Sequence, residues 1–208
     1  VINAYETSKT VLTGLGHKLI EVDFSELSSG ICSYYVIAPA ECSSNLSRFD
    51  GVKYGYRSEG EKDIANLYMN TRSDGFGDEV KKRILIGTHV LSAGFYDAYY
   101  LQAQKVRRMI KVKFESFFKD VDLIFMPTTL DQAFEKNRKS DDPNRMYKED
   151  LLTIPANLAG LPAISFPNGF KNNLPIGGQL IGKYFGEDLL LNTAHKIQEV
   201  TDWHKMTP

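Results

Sequence analysis

This 208-residue chain is poor in cysteine and tryptophan and has no excess of either charge. Only Cys32 and Cys42 occur, ten residues apart. That excludes a disulfide framework and reads as two reduced thiols, in a protein of the bacterial cytoplasm or an organelle matrix. Twenty-five basic residues stand against 26 acidic ones, so the clustered basic excess of a nucleic-acid grip is missing. No apolar run approaches the roughly 20 residues of a membrane-spanning helix, and nothing reads as a secretory leader. His17, His89, His195 and His204 share no ligand spacing with one another or with the cysteines, so no metal site is expected. Internal repeats and low-complexity tracts are absent.

What is present is a core: 42% of residues are hydrophobic, enough for one domain or a large part of one. Ala4, Tyr5, Ser8, Leu12 and Leu15 follow helical spacing, and Gly14 and Gly16 mark the stop. The chain opens on Val1 already inside that pattern, so an N-terminal portion of the natural protein is expected to be missing. His17 to Asp23 alternates enough to predict a strand, and Ser25 to Gly30 a loop. Tyr34 to Ala40 is apolar without a decisive period. Gly60 to Asn70 predicts a short helix, and Asp78 an N-cap for the helix through Arg83. The clearest amphipathic element is Asp97 to Phe118, with Ala103, Val106, Ile110 and Phe114 on one stripe and Lys105, Arg107 and Arg108 off it. Val121 to Met126, Leu161 to Pro167 and Gly178 to Lys183 predict buried strands, and Leu190, Ala194 and Ile197 a closing helix. Strands between helices make the fold class α/β.

Met146 to Phe170 is the best-punctuated stretch: a short apolar helix, a Gly-Pro break and a strand, with Pro155, Pro162 and Pro167 as breakers. Asp150 stands just before its apolar run. Thr128 to Arg145 ahead of it is polar and reads as a surface loop or lid. No catalytic nucleophile is evident. Ser28-Ser29 and Ser43-Ser44 lack the flanking glycines that would let backbone N–H groups form an oxyanion hole. On residue type alone, Arg83 in its Lys-Lys-Arg run is first a solvated helix charge, Asp150 an N-cap and Tyr34 a core residue.

Three motifs change that weighting: Tyr34–Tyr56 (YYVIAPAECSSNLSRFDGVKYGY), Arg72–Tyr100 (RSDGFGDEVKKRILIGTHVLSAGFYDAYY), and the opening stretch with Leu174–Phe185 (LPIGGQLIGKYF). Together they resemble the amidase-signature family, and within it the A subunits of glutamyl-tRNA(Gln) amidotransferases. The resemblance implies a mixed central sheet flanked by helices on both faces, with residues 1–208 forming the C-terminal part of one such domain. It also implies glutamine hydrolysis by a Ser–Ser–Lys relay, expected upstream of this chain, so no catalytic residue falls here. Ammonia would pass to a B subunit, which uses ATP and Mg and holds most of the misacylated Glu-tRNA(Gln), while a small C subunit joins the two. By the same resemblance Arg83 and Asp150 bind the α-carboxylate and α-ammonium of glutamine and Tyr34 lines that site. A planar guanidinium fork suits a carboxylate, and a carboxylate suits an ammonium.

Overall fold

A computed structural model describes residues 1–60, 62–134 and 149–207. The polar stretch from residue 135 onward and Met146, where the punctuated stretch begins, lie outside the described residues. Contacts divide the chain into two compact units, Val1–Ile31 with Arg107–Pro208, and Cys32–Val106. Each is taken by itself.

The first unit is built on a three-stranded antiparallel sheet of order β1-β3-β2, with β1 at Leu123–Pro127, β2 at Ala163–Lys171 and β3 at Leu174–Gly182. The α/β class holds, and all three predicted strands exist. β3 begins four residues earlier than predicted, so Gly177 and Gly178 lie inside it rather than at its entry. Asn172 and Asn173, both with positive φ, turn β2 into β3, as asparagine tolerates left-handed backbone better than most side chains.

Alternation gives the sheet two faces. Leu123 and Phe125 of β1, Leu180 of β3, and Ile164 and Phe166 of β2 share one. Helix α1 (Ile2–Gly14) covers it with Leu12, and the closing helix Glu187–Glu199 covers it with Leu190, Ala194 and Ile197. Six buried residues form this cluster, and Ser8 of α1 donates into it to Asn168 Oδ1, both side chains being buried. The opposite face grades from apolar, at Ile124 and the fully buried Ile181, to polar, at Gln179, Ser165 and Thr128. Thr128 Oγ1 and Ser165 Oγ lie 2.9 Å apart there.

Residues 17–24 form no strand. Leu19 and Ile20 are 43% and 48% exposed; alternation without a partner edge stays irregular. A 3-10 turn at Ser25–Ser29 replaces the predicted loop. Pro155 opens a short helix, Ile154–Ala159, which Gly160 ends at φ 73°. Three groups then hold its last carbonyls: Leu161 N–H bonds Ala156 O at 3.0 Å, Arg107 Nε donates to Leu158 O at 2.9 Å, and the Tyr184 hydroxyl donates to Ala159 O. Arg107 is exposed, as a solvated face requires, and in addition caps this helix.

The second unit begins within helix α2 (Gly30–Leu46), which absorbs the ambiguous apolar run and tolerates Pro39 in its interior. It continues through α3 (Ile64–Gly75), α4 (Asp78–Val90), a π-helical turn at Tyr96–Tyr100 and the first residues of α5 (Leu101–Phe117). Asp63 caps α3, its side chain accepting from Ala65 N and Asn66 N. Gly77, not Asp78, stands at the N-cap of α4; Asp78 and Glu79 instead lie in its first turn, where carboxylates favour the positive end of the helix. The SRFDGVKYG run folds into a loop tied to α3. Arg72 Nη1 donates to Leu46 O at 2.9 Å and Phe49 O at 3.0 Å, and Ser58 N–H to Thr71 Oγ1 at 3.0 Å. Asp50 accepts from the Val52 and Lys53 amides, and these bonds hold its carboxyl below the usual carboxylate range.

This architecture makes two outcomes testable. β1 and β2 are both edges of the sheet, so the 208-residue chain expressed alone is expected to self-associate on size-exclusion chromatography with light scattering; a monodisperse, cooperatively melting monomer would count against it. A lowered carboxyl pKa stabilises at neutral pH, and that contribution is lost as pH falls through the depressed value. The gap in melting temperature between wild type and Asp50→Asn should therefore be largest near neutrality and close in acid.

Candidate functional site

Arg83 lies on α4 and Tyr34 on α2, and the crossing of these two helices decides their relation. A Cβ added to Gly87 would fall 1.9 Å from the Pro39 carbonyl oxygen and 2.7 Å from Ser43 Cβ. Only glycine lets the backbones approach this closely. Beside the contact, Ser43 Oγ and Thr88 Oγ1 are 2.9 Å apart. One turn before Gly87, and toward the start of α2, the Tyr34 hydroxyl interacts electrostatically with the Arg83 guanidinium.

Arg83 is half-buried and already oriented. Its Nε donates to Glu79 Oε1 at 3.1 Å, an i,i+4 pair along α4. The Glu79 bond first, and Tyr34 after it, outweigh burial and raise the Arg83 pKa above its ordinary value, so the side chain is cationic at every physiological pH. A guanidinium fixed through Nε retains its two terminal nitrogens as a fork for a carboxylate. The structure thus brings Arg83 and Tyr34 together.

Asp150 belongs to the other unit. It is half-buried in a turn, and Thr153, not Asp150, occupies the N-cap of the Ile154–Ala159 helix. The backbone of Asp150 closes that turn, its carbonyl accepting from Thr153 N at 3.2 Å and Ile154 N at 3.0 Å. The turn is anchored to the sheet by Gln179 of β3, whose Nε2 donates to Leu152 O at 2.9 Å.

Sequence reasoning missed Glu79, Gly87 and Gln179. The first had a readable signal, a carboxylate four residues before Arg83 on a helix. So did Gln179, a polar residue inside an apolar strand. Gly87 had none, because its role lies in a contact with residues far away in sequence. Among the described residues, no cluster of histidine, cysteine or carboxylate side chains is arranged to hold a metal, and no helix is long and apolar enough to cross a membrane.

The Amidase family model matches residues 1–191. The chain belongs to the amidase family. It is 56% identical over all 208 residues to the A subunit of glutamyl-tRNA(Gln) amidotransferase from Hahella chejuensis, covering 43% of that protein. With the same coverage it is 53% identical to the protein of the same name from Coxiella burnetii. The crystal structure of the Thermotoga maritima relative superposes with a TM-score of 0.71 at 38% identity, over 99% of this chain and 40% of that one. A 6-aminohexanoate cyclic dimer hydrolase shares the fold at a TM-score of 0.69 and 20% identity, over 99% of this chain and 42% of that one. The chain thus spans about two fifths of the length of the amidase relatives it matches.

The Gly87 contact is open to a direct test. Gly87→Val in a full-length family member carrying this sequence should destabilise by at least about 1–3 kcal/mol, as overpacking does, seen as a lower melting temperature. An unchanged melting temperature would mean that the helices do not meet as described.

Proposed function

We propose that this chain supplies the glutamine-binding part of an amide-hydrolysing site, in the A subunit of a glutamyl-tRNA(Gln) amidotransferase. The observation that carries the reading is the Arg83–Tyr34 pair, a guanidinium held charged and oriented at a helix crossing. The 56% identity to a protein of that name supports it. In this reading the Arg83 fork takes the α-carboxylate of glutamine, Tyr34 lines the same region, and Asp150 takes the α-ammonium.

Charge is the reason for this set. An amidase for an uncharged amide has no use for a fixed cation, whereas glutamine presents an anion and a cation at constant separation. The Ser–Ser–Lys relay that attacks the side-chain amide would come from sequence outside this chain. The attacking hydroxyl forms a glutamyl ester with the enzyme and releases ammonia, and water then frees glutamate. Without the relay, the 208 residues alone do not hydrolyse glutamine. The ammonia is consumed on a B subunit, where ATP and Mg activate Glu-tRNA(Gln), with a C subunit completing the complex. Both compact units belong, in this reading, to one amidase domain.

Arg83→Ala in the full-length protein, assayed within its complex, tests this. Loss of a charged hydrogen-bonded pair is expected to raise the KM for glutamine by roughly 10- to 100-fold, with kcat changed far less. Glutamine hydrolysis at an unchanged KM would sink the assignment.

A further inference from the structure

We infer that Gln179 is a positioning residue for substrate binding: its buried carboxamide fixes, through the Leu152 carbonyl, the turn that carries Asp150. This rests on the glutamine reading above and assigns Gln179 no contact with substrate.

Three observations carry it. Gln179 is 4% exposed at the middle of β3, in register with Met126 of β1 and Ser165 of β2. A buried primary amide in the centre of a sheet is costly unless its groups are hydrogen-bonded. Here Nε2 donates to Leu152 O at 2.9 Å, with Pro127 O at 3.5 Å. The acceptor belongs to the turn ahead of the Ile154–Ala159 helix, not to a strand.

Bonds within the turn and into its own helix help to shape it. Asp150 O accepts from Thr153 N, Ile154 N and Thr153 Oγ1, and Thr153 O accepts from Asn157 Nδ2 at 2.9 Å. The bond from Gln179 sets where that shape sits on the sheet. It joins the turn two residues from Asp150, so a displaced Leu152 carbonyl displaces the Asp150 backbone with it. The neighbouring sheet face is closely packed: a Cβ on Gly177 would meet Thr128 Oγ1 at 2.8 Å.

The chemistry separates two kinds of damage. If Gln179 acts only on general stability, its loss affects every ligand of the site alike. If it positions Asp150, its loss weakens ligands carrying an α-ammonium and spares those without one. The probes are glutamine and 4-carbamoylbutanoate, which is glutamine without the amino group, used as a competitor. Three variants of the full-length protein in its complex are compared: Gln179→Glu, which replaces the donor with a repelling oxygen, Gln179→Met, which removes it with similar bulk, and Asp150→Asn.

Both Gln179 variants should raise the glutamine KM by about tenfold, with kcat little changed and the Ki of 4-carbamoylbutanoate unmoved. Equal weakening of both ligands, or no weakening of either in a folded variant, overturns the inference. If Asp150→Asn leaves the glutamine KM unchanged, the glutamine reading itself fails. If Asp150→Asn raises it while Gln179→Met does not, only the positioning role fails. Should Gln179→Glu not fold, Gln179→Met alone decides.

Discussion

The contact of Gly87 with the Pro39 carbonyl is the tightest approach at any described glycine. At 1.9 Å from a backbone oxygen there is no room for a methyl group, so the spacing of α2 and α4 is decided by one missing side chain. The consequence is chemical. An arginine on the exposed face of an isolated helix samples many rotamers, but Arg83 is met by Tyr34 from the neighbouring helix and by Glu79 from its own. The cost of ordering a long side chain is met at folding rather than at binding. A site that must recognise a carboxylate gains from such preorganisation.

The sheet solves a related problem differently. A turn cannot be placed by helix packing, because it has no apolar stripe to bury. The turn at Asp150 is placed by a hydrogen bond from a buried side chain, Gln179, on the polar half of one sheet face. The other face is conventional, with α1 and the closing helix burying leucine, isoleucine and phenylalanine against it. One sheet therefore serves as a hydrophobic platform on one side and a polar anchoring surface on the other. β3 carries both roles in adjacent residues, Leu180 and Gln179.

Much of this was legible in the residues, for reasons that differ by element. α1, α5 and the closing helix declared themselves because their apolar stripes repeat at helical spacing. The three strands did so because they are short apolar runs bounded by proline, glycine or asparagine. His17 to Asp23 misled because alternation marks a strand only where another strand lies alongside, and this segment pairs with none among the described residues. Asp78 was read one position off because the cap geometry of α4 is made by the extended backbone of Gly77. For the site, residue type alone left Arg83, Tyr34 and Asp150 unremarkable. Resemblance singled them out, and only the helix crossing shows how two of them are held together.

If Arg83 and Asp150 read the two charges of glutamine, a crystal structure of the full-length protein with glutamine or glutamate bound will show it. Both α-carboxylate oxygens should lie within hydrogen-bonding distance of the terminal Arg83 nitrogens, and the α-ammonium within hydrogen-bonding distance of the Asp150 carboxylate. An amino acid bound elsewhere, with Arg83 engaged only by Glu79 and Tyr34, would contradict that reading.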